Sequence, residues 1–230
     1  MIIGDEELMI EYLNDRDSSM LLTVNGLNDA FQDALWWMVT AKWSSLLLLL
    51  VLVWVLLRQN RRHAILLLVM LALAILLADQ VASGVIKQLV ERLRPTHDPS
   101  LGDLVHVVNG YRGGMYGFVS SHAANSFAAS TLLALVIRRR AVALGLVGWA
   151  LLQCYSRVYL GVHYPGDILG GILVGVAVGW LVWRLMRWVE RRWRLPSGHY
   201  TRFDGVVMLS ALAVTVVGIL TAALIQTFTS

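Results

Sequence analysis

The sequence predicts an all-α integral membrane protein: a six-transmembrane-helix bundle preceded by an N-terminal interfacial helix. Four observations predict it. Apolar residues make up 57% of the chain and charged residues only 15%, against about 45–50% and about 25% in a soluble domain. Mean hydropathy is +0.65. Six apolar runs, near 36–57, 64–86, 119–137, 141–160, 167–186 and 206–227, approach the roughly 20 residues that a helix needs to cross a bilayer. The cations between them gather in short loops. The 230 residues fit one domain, with 1–35 as a polar and interfacial lead-in and 36–227 as the six-helix core.

Taken in order, residues 1–19 are polar and acidic, and exposure is expected. From Ser18 to Val39, Leu21, Val24, Leu27, Phe31, Leu35 and Met38 recur at helical spacing. They predict either a helix lying in the interface or the lead-in to the first span. Trp36, Trp37 and Trp43 open that span, and Trp180, Trp183, Trp188 and Trp193 surround the end of the fifth, as interfacial belts do. The basic loops Arg58–His63, Arg138–Arg140 and Arg184–Arg194 follow spans one, three and five. Positive loops stay cytoplasmic, so 87–118 and 161–166 face the other side. The net charge of +4 is therefore a topology signal, and a nucleic-acid partner is not expected. The lone Cys154 permits no internal disulfide. The loop from Arg94 to Phe118 carries five glycines, Gly102, Gly110, Gly113, Gly114 and Gly117. Loops of that length tend to be functional, and this one is placed to cover a site.

Polar residues with chemical potential fall at the outer face. Asp79, Lys87, Glu91, Arg92 and Arg94 follow the second span, and a helix continued to Pro95 would set Lys87, Glu91 and Arg94 on one face. Lys87 and Arg94 can grip a phosphate, one as a point charge and one as a fork; the plainer reading is snorkelling anchors with Glu91 as salt-bridge partner. Asp79 lies deeper, with no role assigned. Ser120 and Ser121 begin the third span as N-cap candidates. A helix start favours an anion, and His122 at that mouth can give a proton to a leaving oxygen. The plainer alternative is a capping pair, with Asn125 and Ser126 bonding between helices. Arg157, His163 and Asp167 then appear in S-R-V-Y-L-G-V-H-Y-P-G-D, between two apolar runs where polar groups are costly. A carboxylate four residues after a histidine can hold one imidazole nitrogen and leave the other free. Alone, that pair would more often be a loop histidine beside a capping aspartate.

Together, and in this order, these segments resemble the type 2 phosphatidic acid phosphatase (PAP2) superfamily, which also includes vanadium haloperoxidases. Its motifs are K-x6-R-P, P-S-G-H and S-R-x5-H-x3-D. Lys87–Pro95 matches the first and Ser156–Asp167 the third. The second is partial: Val119 replaces the proline and Ser121 the glycine, while Ser120 and His122 remain. The resemblance implies a metal-independent, cofactor-free phosphatase in the bacterial inner membrane, acting on a lipid phosphate or diphosphate at the periplasmic face. It assigns catalysis to His163 as nucleophile, Asp167 as its orienting carboxylate and His122 as proton donor. Phosphate binding falls to Lys87, Arg94, Ser120, Ser121 and Arg157. The S-S-H-A-A-N-S form resembles a bacterial subgroup acting on polyprenyl carriers and lipid A.

Three competing readings bear on the site. Pro196-Ser197-Gly198-His199 spells the second motif in full but lies in a loop assigned to the cytoplasmic side, so it reads as a chance turn. His97, His106, His122 and His163, with Asp98 and Asp103, fit no zinc spacing. A transporter or channel would predict inverted repeats or matched broken helices, and neither is evident in the sequence.

Overall fold

A computed structural model describes residues 2–229, with side chains from residue 8 onward apart from that of Lys42. The described residues are helical with a single antiparallel bridge, between Leu93 and Tyr116. In order they form α1 (Ile2–Asn25), α2 (Ala30–Thr40), α3 (Leu46–Leu57), α4 (Arg61–Asp79), α5 (Lys87–Val90), α6 (Ser121–Ile137), α7 (Arg140–Tyr159), α8 (Pro165–Arg192) and α9 (Arg202–Thr229). A π-helical stretch, Gln80–Ile86, joins α4 to α5 in one 30-residue rod, Arg61–Val90. Among the described residues, four helices are long and apolar enough to cross a membrane: this rod, α7, α8 and α9. A fifth crossing comes from α2 with Trp43–Leu57 if that bent pair counts as one span, and α6 is a shorter apolar helix.

The structure corrects three expectations. The first span is not one straight helix over 36–57, because the chain bends by 67° between α2 and Trp43–Leu57. Ala41 is extended there (φ −64°, ψ 142°), which frees the Val39 carbonyl. Ser44 Oγ donates to that carbonyl at 2.8 Å and Gln153 Nε2 at 2.7 Å, so the Val39 carbonyl is not left stranded by the bend. The stretch 18–39 is likewise two helices. It is interrupted after Asn25, and Asp29 caps α2 by accepting the Gln32 N–H at 2.8 Å. Residues 2–19 belong to α1, and the side chains described there are exposed, as expected, apart from half-buried Asp17 and Ser18; later residues of α1 pack against α7 and α8. Finally, the helix carrying Lys87 stops at Val90, before Pro95. Glu91 takes a left-handed cap (φ 50°) and is exposed, so the shared face of Lys87, Glu91 and Arg94 does not form.

The principal core is built from α3, α4, α6 and α8. α6 and α8 approach closely through Gly171, Gly175 and Gly179. A Cβ at Gly171 would lie 2.8 Å from Ala123 Cβ, and one at Gly179 would lie 2.6 Å from the Ala128 carbonyl oxygen. Small residues let helix backbones meet where the solvent offers no hydrophobic drive. This seam fixes the start of α6 beside the start of α8, and Ser120 N–H donates to the Asp167 carbonyl across it at 2.9 Å.

Candidate active site

At one end of the bundle the seam brings Ser120, Ser121 and His122 beside His163 and Asp167. Pro165 opens α8 with its φ preset for a helix, and Asp167 in that first turn accepts the Tyr164 N–H at Oδ2, 3.1 Å. The same oxygen lies 3.3 Å from His163 Nδ1. A carboxylate only accepts, which places the imidazole proton on Nδ1 and leaves the Nε2 lone pair free. His163 is 1% exposed and Asp167 0%. Burial, then Arg94, Arg157 and Lys87, hold the His163 pKa well below the ordinary imidazole value. The ring is therefore neutral, as a nucleophile must be.

Lys87 Nζ donates to Ser121 Oγ at 2.8 Å, and Ser121 Oγ lies 2.7 Å from Ser83 Oγ. Buried Arg94 donates from Nε to the Tyr116 carbonyl at 3.1 Å and from Nη1 to the Val162 carbonyl at 3.3 Å. Arg157, also buried, donates to Thr40 Oγ1 at 2.8 Å and to the Tyr111 hydroxyl at 3.1 Å. Its Nε is buried with no partner among the described residues. Burial and the charge of Arg157 lower the Arg94 pKa, as expected for like charges within each other's reach. His122 is exposed at the mouth, within the electrostatic reach of Arg157, His163, Arg94 and Lys87. Ser120 is fully buried as the N-cap of α6, its hydroxyl accepting the Ala123 N–H at 3.5 Å.

The glycine-rich loop presses on these groups. Its Tyr111 holds Arg157, and a Cβ at Gly113 (φ 70°) would lie 2.6 Å from Arg94 Nη1. A Cβ at Gly117 would lie 2.7 Å from Asp167 Oδ2. Gly117→Ala is therefore expected to displace the Asp167 carboxylate and cut kcat by about 10-fold or more, since small misplacements at a reacting centre are costly. Steady-state kinetics on the purified variant check this.

Several site neighbours have no role in the sequence reading. Arg92 Nη1 donates to Asp167 Oδ1 at 3.0 Å, and Thr40 and Tyr111 steady Arg157. Thr40 is delivered by the bend after α2, which has no proline or glycine to announce it. Asp79 accepts from Asn125 Nδ2 at 3.4 Å. The other histidines disperse: His106 bonds Asp33 at 2.9 Å, while Asp98 accepts from the Tyr164 hydroxyl and Ser100. Among the described residues, no three His, Cys, Asp or Glu side chains are grouped to hold a metal. Pro196–His199 lies past the far end of the 28-residue α8, about 40 Å from His163 at 1.5 Å per residue.

A helical bundle with four or five candidate spans thus carries, at one end, a buried histidine paired with Asp167 and within the electrostatic reach of Lys87, Arg94 and Arg157. Residues 63–191 match the PAP2 superfamily. Over 225 residues the chain is 34% identical to the lipid A 4'-phosphatase of Bacteroides thetaiotaomicron, covering 95% of this chain and 100% of that one. It is 31% identical over 185 residues to the lipid A 4'-phosphatase of Porphyromonas gingivalis, covering 80% and 78%. The crystal structure of a transmembrane PAP2 type phosphatidylglycerolphosphate phosphatase from Bacillus subtilis superposes with a TM-score of 0.59 at 22% identity, over 78% of this chain and 89% of that one. The chain belongs to the PAP2 superfamily and is a membrane phosphatase, which sets the transporter alternative aside.

Proposed function

We propose that this phosphatase removes a phosphate from lipid A, or from a similarly placed lipid phosphate, at the periplasmic face of the bacterial inner membrane. The observation that carries this is the buried His163, its Nδ1 3.3 Å from Asp167 Oδ2, within the electrostatic reach of Lys87, Arg94 and Arg157. Nε2 attacks phosphorus, the P–O bond to the lipid breaks, and His122 gives the departing oxygen its proton. Water then attacks the phosphohistidine, returning a proton to His122 and releasing phosphate. Phosphoryl transfer demands mainly positioning and positive charge around the equatorial oxygens, which the three cations supply.

A cavity of about 600 Å³ supports a lipid substrate. It is bordered by Asn125 and Ser126, one turn below His122, and by Trp43, Leu46 and Leu49 on the outer surface of the bundle. Its apolar lining suits acyl chains while the head group rests among the cations. The basic loops at the opposite end support an outward-facing site. α6, about 25 Å long at 1.5 Å per residue, serves as the remaining crossing in a six-span arrangement. α1 exposes Leu8, Met9, Ile10, Tyr12, Leu13 and Met20, which suits a helix lying in the interface. Similarity to two lipid A 4'-phosphatases, over the full length of one and 78% of the other, favours lipid A over undecaprenyl diphosphate, phosphatidylglycerol phosphate or phosphatidic acid.

The test is phosphate release by purified protein on these four lipids and on a water-soluble phosphate monoester, with and without EDTA. Lipid A is expected to turn over fastest and chelation to leave the rate within about twofold, since Lys87, Arg94 and Arg157 supply the charge that a metal would otherwise bring. Release confined to the soluble monoester, or abolished by EDTA, would overturn the proposal.

A further inference from the structure

Arg92 lies outside the cationic trio, and its guanidinium joins α1 to the histidine–aspartate pair. Nη1 donates to Asp167 Oδ1 at 3.0 Å, while Nη2 donates to Asp17 Oδ2 at 2.7 Å and to Asn14 Oδ1 at 3.4 Å. The guanidinium carbon sits 4.0 Å from the centre of the Tyr164 ring. The other oxygen of Asp17 accepts the Gly166 N–H at 2.7 Å. Gly166 stands immediately before Asp167, and a Cβ there would lie 2.7 Å from Asp17 Oδ2. Glycine at this position therefore leaves the Asp17 carboxylate room to sit against the first turn of α8.

The site is thus held from two directions. Asp167 Oδ2 is occupied by the Tyr164 N–H and by His163, and Oδ1 by Arg92. With both oxygens engaged, the carboxylate plane has one orientation, and so does the imidazole that it holds. Asp17 in turn fixes the guanidinium and the backbone beside the carboxylate. The Arg92 and Asp17 side chains are 22% and 13% exposed. Such a partly buried, forked pair is more consequential than a solvated one.

We propose that Arg92 and Asp17 are positioning residues of the phosphatase, with α1 bracing the His163–Asp167 pair from outside the motif-bearing segments. This rests on the reading of His163 as nucleophile. Arg92 acts through Asp167 on the chemical step and does not hold the substrate phosphate. Its loss is therefore expected in kcat and not in KM. Lysine keeps the charge but cannot span Asp17 and Asp167 as a fork, so it restores activity only in part.

The experiment compares kcat and KM for phosphate release by purified full-length wild type, Arg92→Gln, Arg92→Lys, Asp17→Asn and the Arg92→Gln/Asp17→Asn double variant. Arg92→Gln is expected to lower kcat by about 10–100-fold with KM within about twofold, and Arg92→Lys to recover part of that loss. Asp17→Asn alone is expected to cost about 3–10-fold, and less than about twofold once Arg92 is glutamine, because coupled residues are not additive. Three results would overturn the brace: unimpaired kcat in Arg92→Gln, a rise in KM matching the fall in kcat, or an equal cost of Asp17→Asn in both backgrounds. If Arg92→Gln does not fold, Arg92→Lys and Asp17→Asn carry the same comparison. A wild type that turns over no lipid phosphate would instead sink the functional reading on which this rests.

Discussion

Replacing His163 with alanine is expected to abolish phosphate release, a loss on the order of 10⁴–10⁶-fold in kcat, the scale seen when a catalytic nucleophile is removed. Two imidazoles lie within electrostatic reach of each other, so the expectation depends on their being unequal. His163 is buried and has its Nδ1 proton engaged by Asp167, which aims Nε2. His122 is exposed at the mouth, where a departing oxygen leaves. The two variants should therefore fail differently. His163→Ala should form no covalent phosphoprotein when quenched in alkali, where the phosphohistidine of the wild type survives. His122→Ala should lose less activity, and less again when the leaving group is a weakly basic phenol that needs no proton. Asparagine at 163 fills much of the ring's volume and should be as inactive as alanine. Unchanged turnover in His163→Ala would remove the basis of the proposed mechanism.

The apolar runs announced the helices because a span must bury its backbone whatever its partners are. The breaks were not announced, because tertiary contacts make them. The bend after Thr40 depends on Ser44 and on Gln153, more than a hundred residues away, to satisfy the Val39 carbonyl. A glutamine inside the run W-A-L-L-Q-C-Y was its only trace. Lys87, Arg94, His122, Arg157, His163 and Asp167 were singled out by their order and by the resemblance of their motifs to the PAP2 superfamily, and the electrostatics tie His122 and His163 to Lys87, Arg94 and Arg157. The residues that steady them came from unrelated stretches. Asp17 meets Gly166 across 149 positions, and no periodicity reports such a contact. Helical spacing also misled at Glu91. Continued helix would have placed it with Lys87 and Arg94, whereas the left-handed turn there brings Arg92 to Asp167 instead.

Asp167→Asn is expected to lower kcat by about 10²–10⁴-fold, the range for a lost orienting carboxylate, and to do no better than Asp167→Ala despite matching the native shape. The reason lies in the partners of each oxygen. Oδ1 faces a guanidinium, and Oδ2 faces the Tyr164 N–H and the Nδ1–H of His163; all three are donors. An asparagine has only one oxygen to offer. Turned towards Arg92, it sets its NH2 against the Tyr164 N–H and asks His163 Nδ1 to accept, which moves the ring proton onto Nε2 and blocks attack on phosphorus. Turned the other way, it sets the NH2 against the guanidinium and leaves Arg92 tied to Asp17 alone. Alanine makes neither demand, so the imidazole is poorly aimed but still free to present Nε2. Its KM should hold, because Lys87, Arg94 and Arg157 still take the phosphate. Loss of the first-turn contact to the Tyr164 N–H should also destabilise α8 by about 1 kcal/mol in Asp167→Ala, measurable as a lowered Tm in detergent. Native-like kcat in Asp167→Asn would mean that the carboxylate neither fixes the tautomer nor needs its charge.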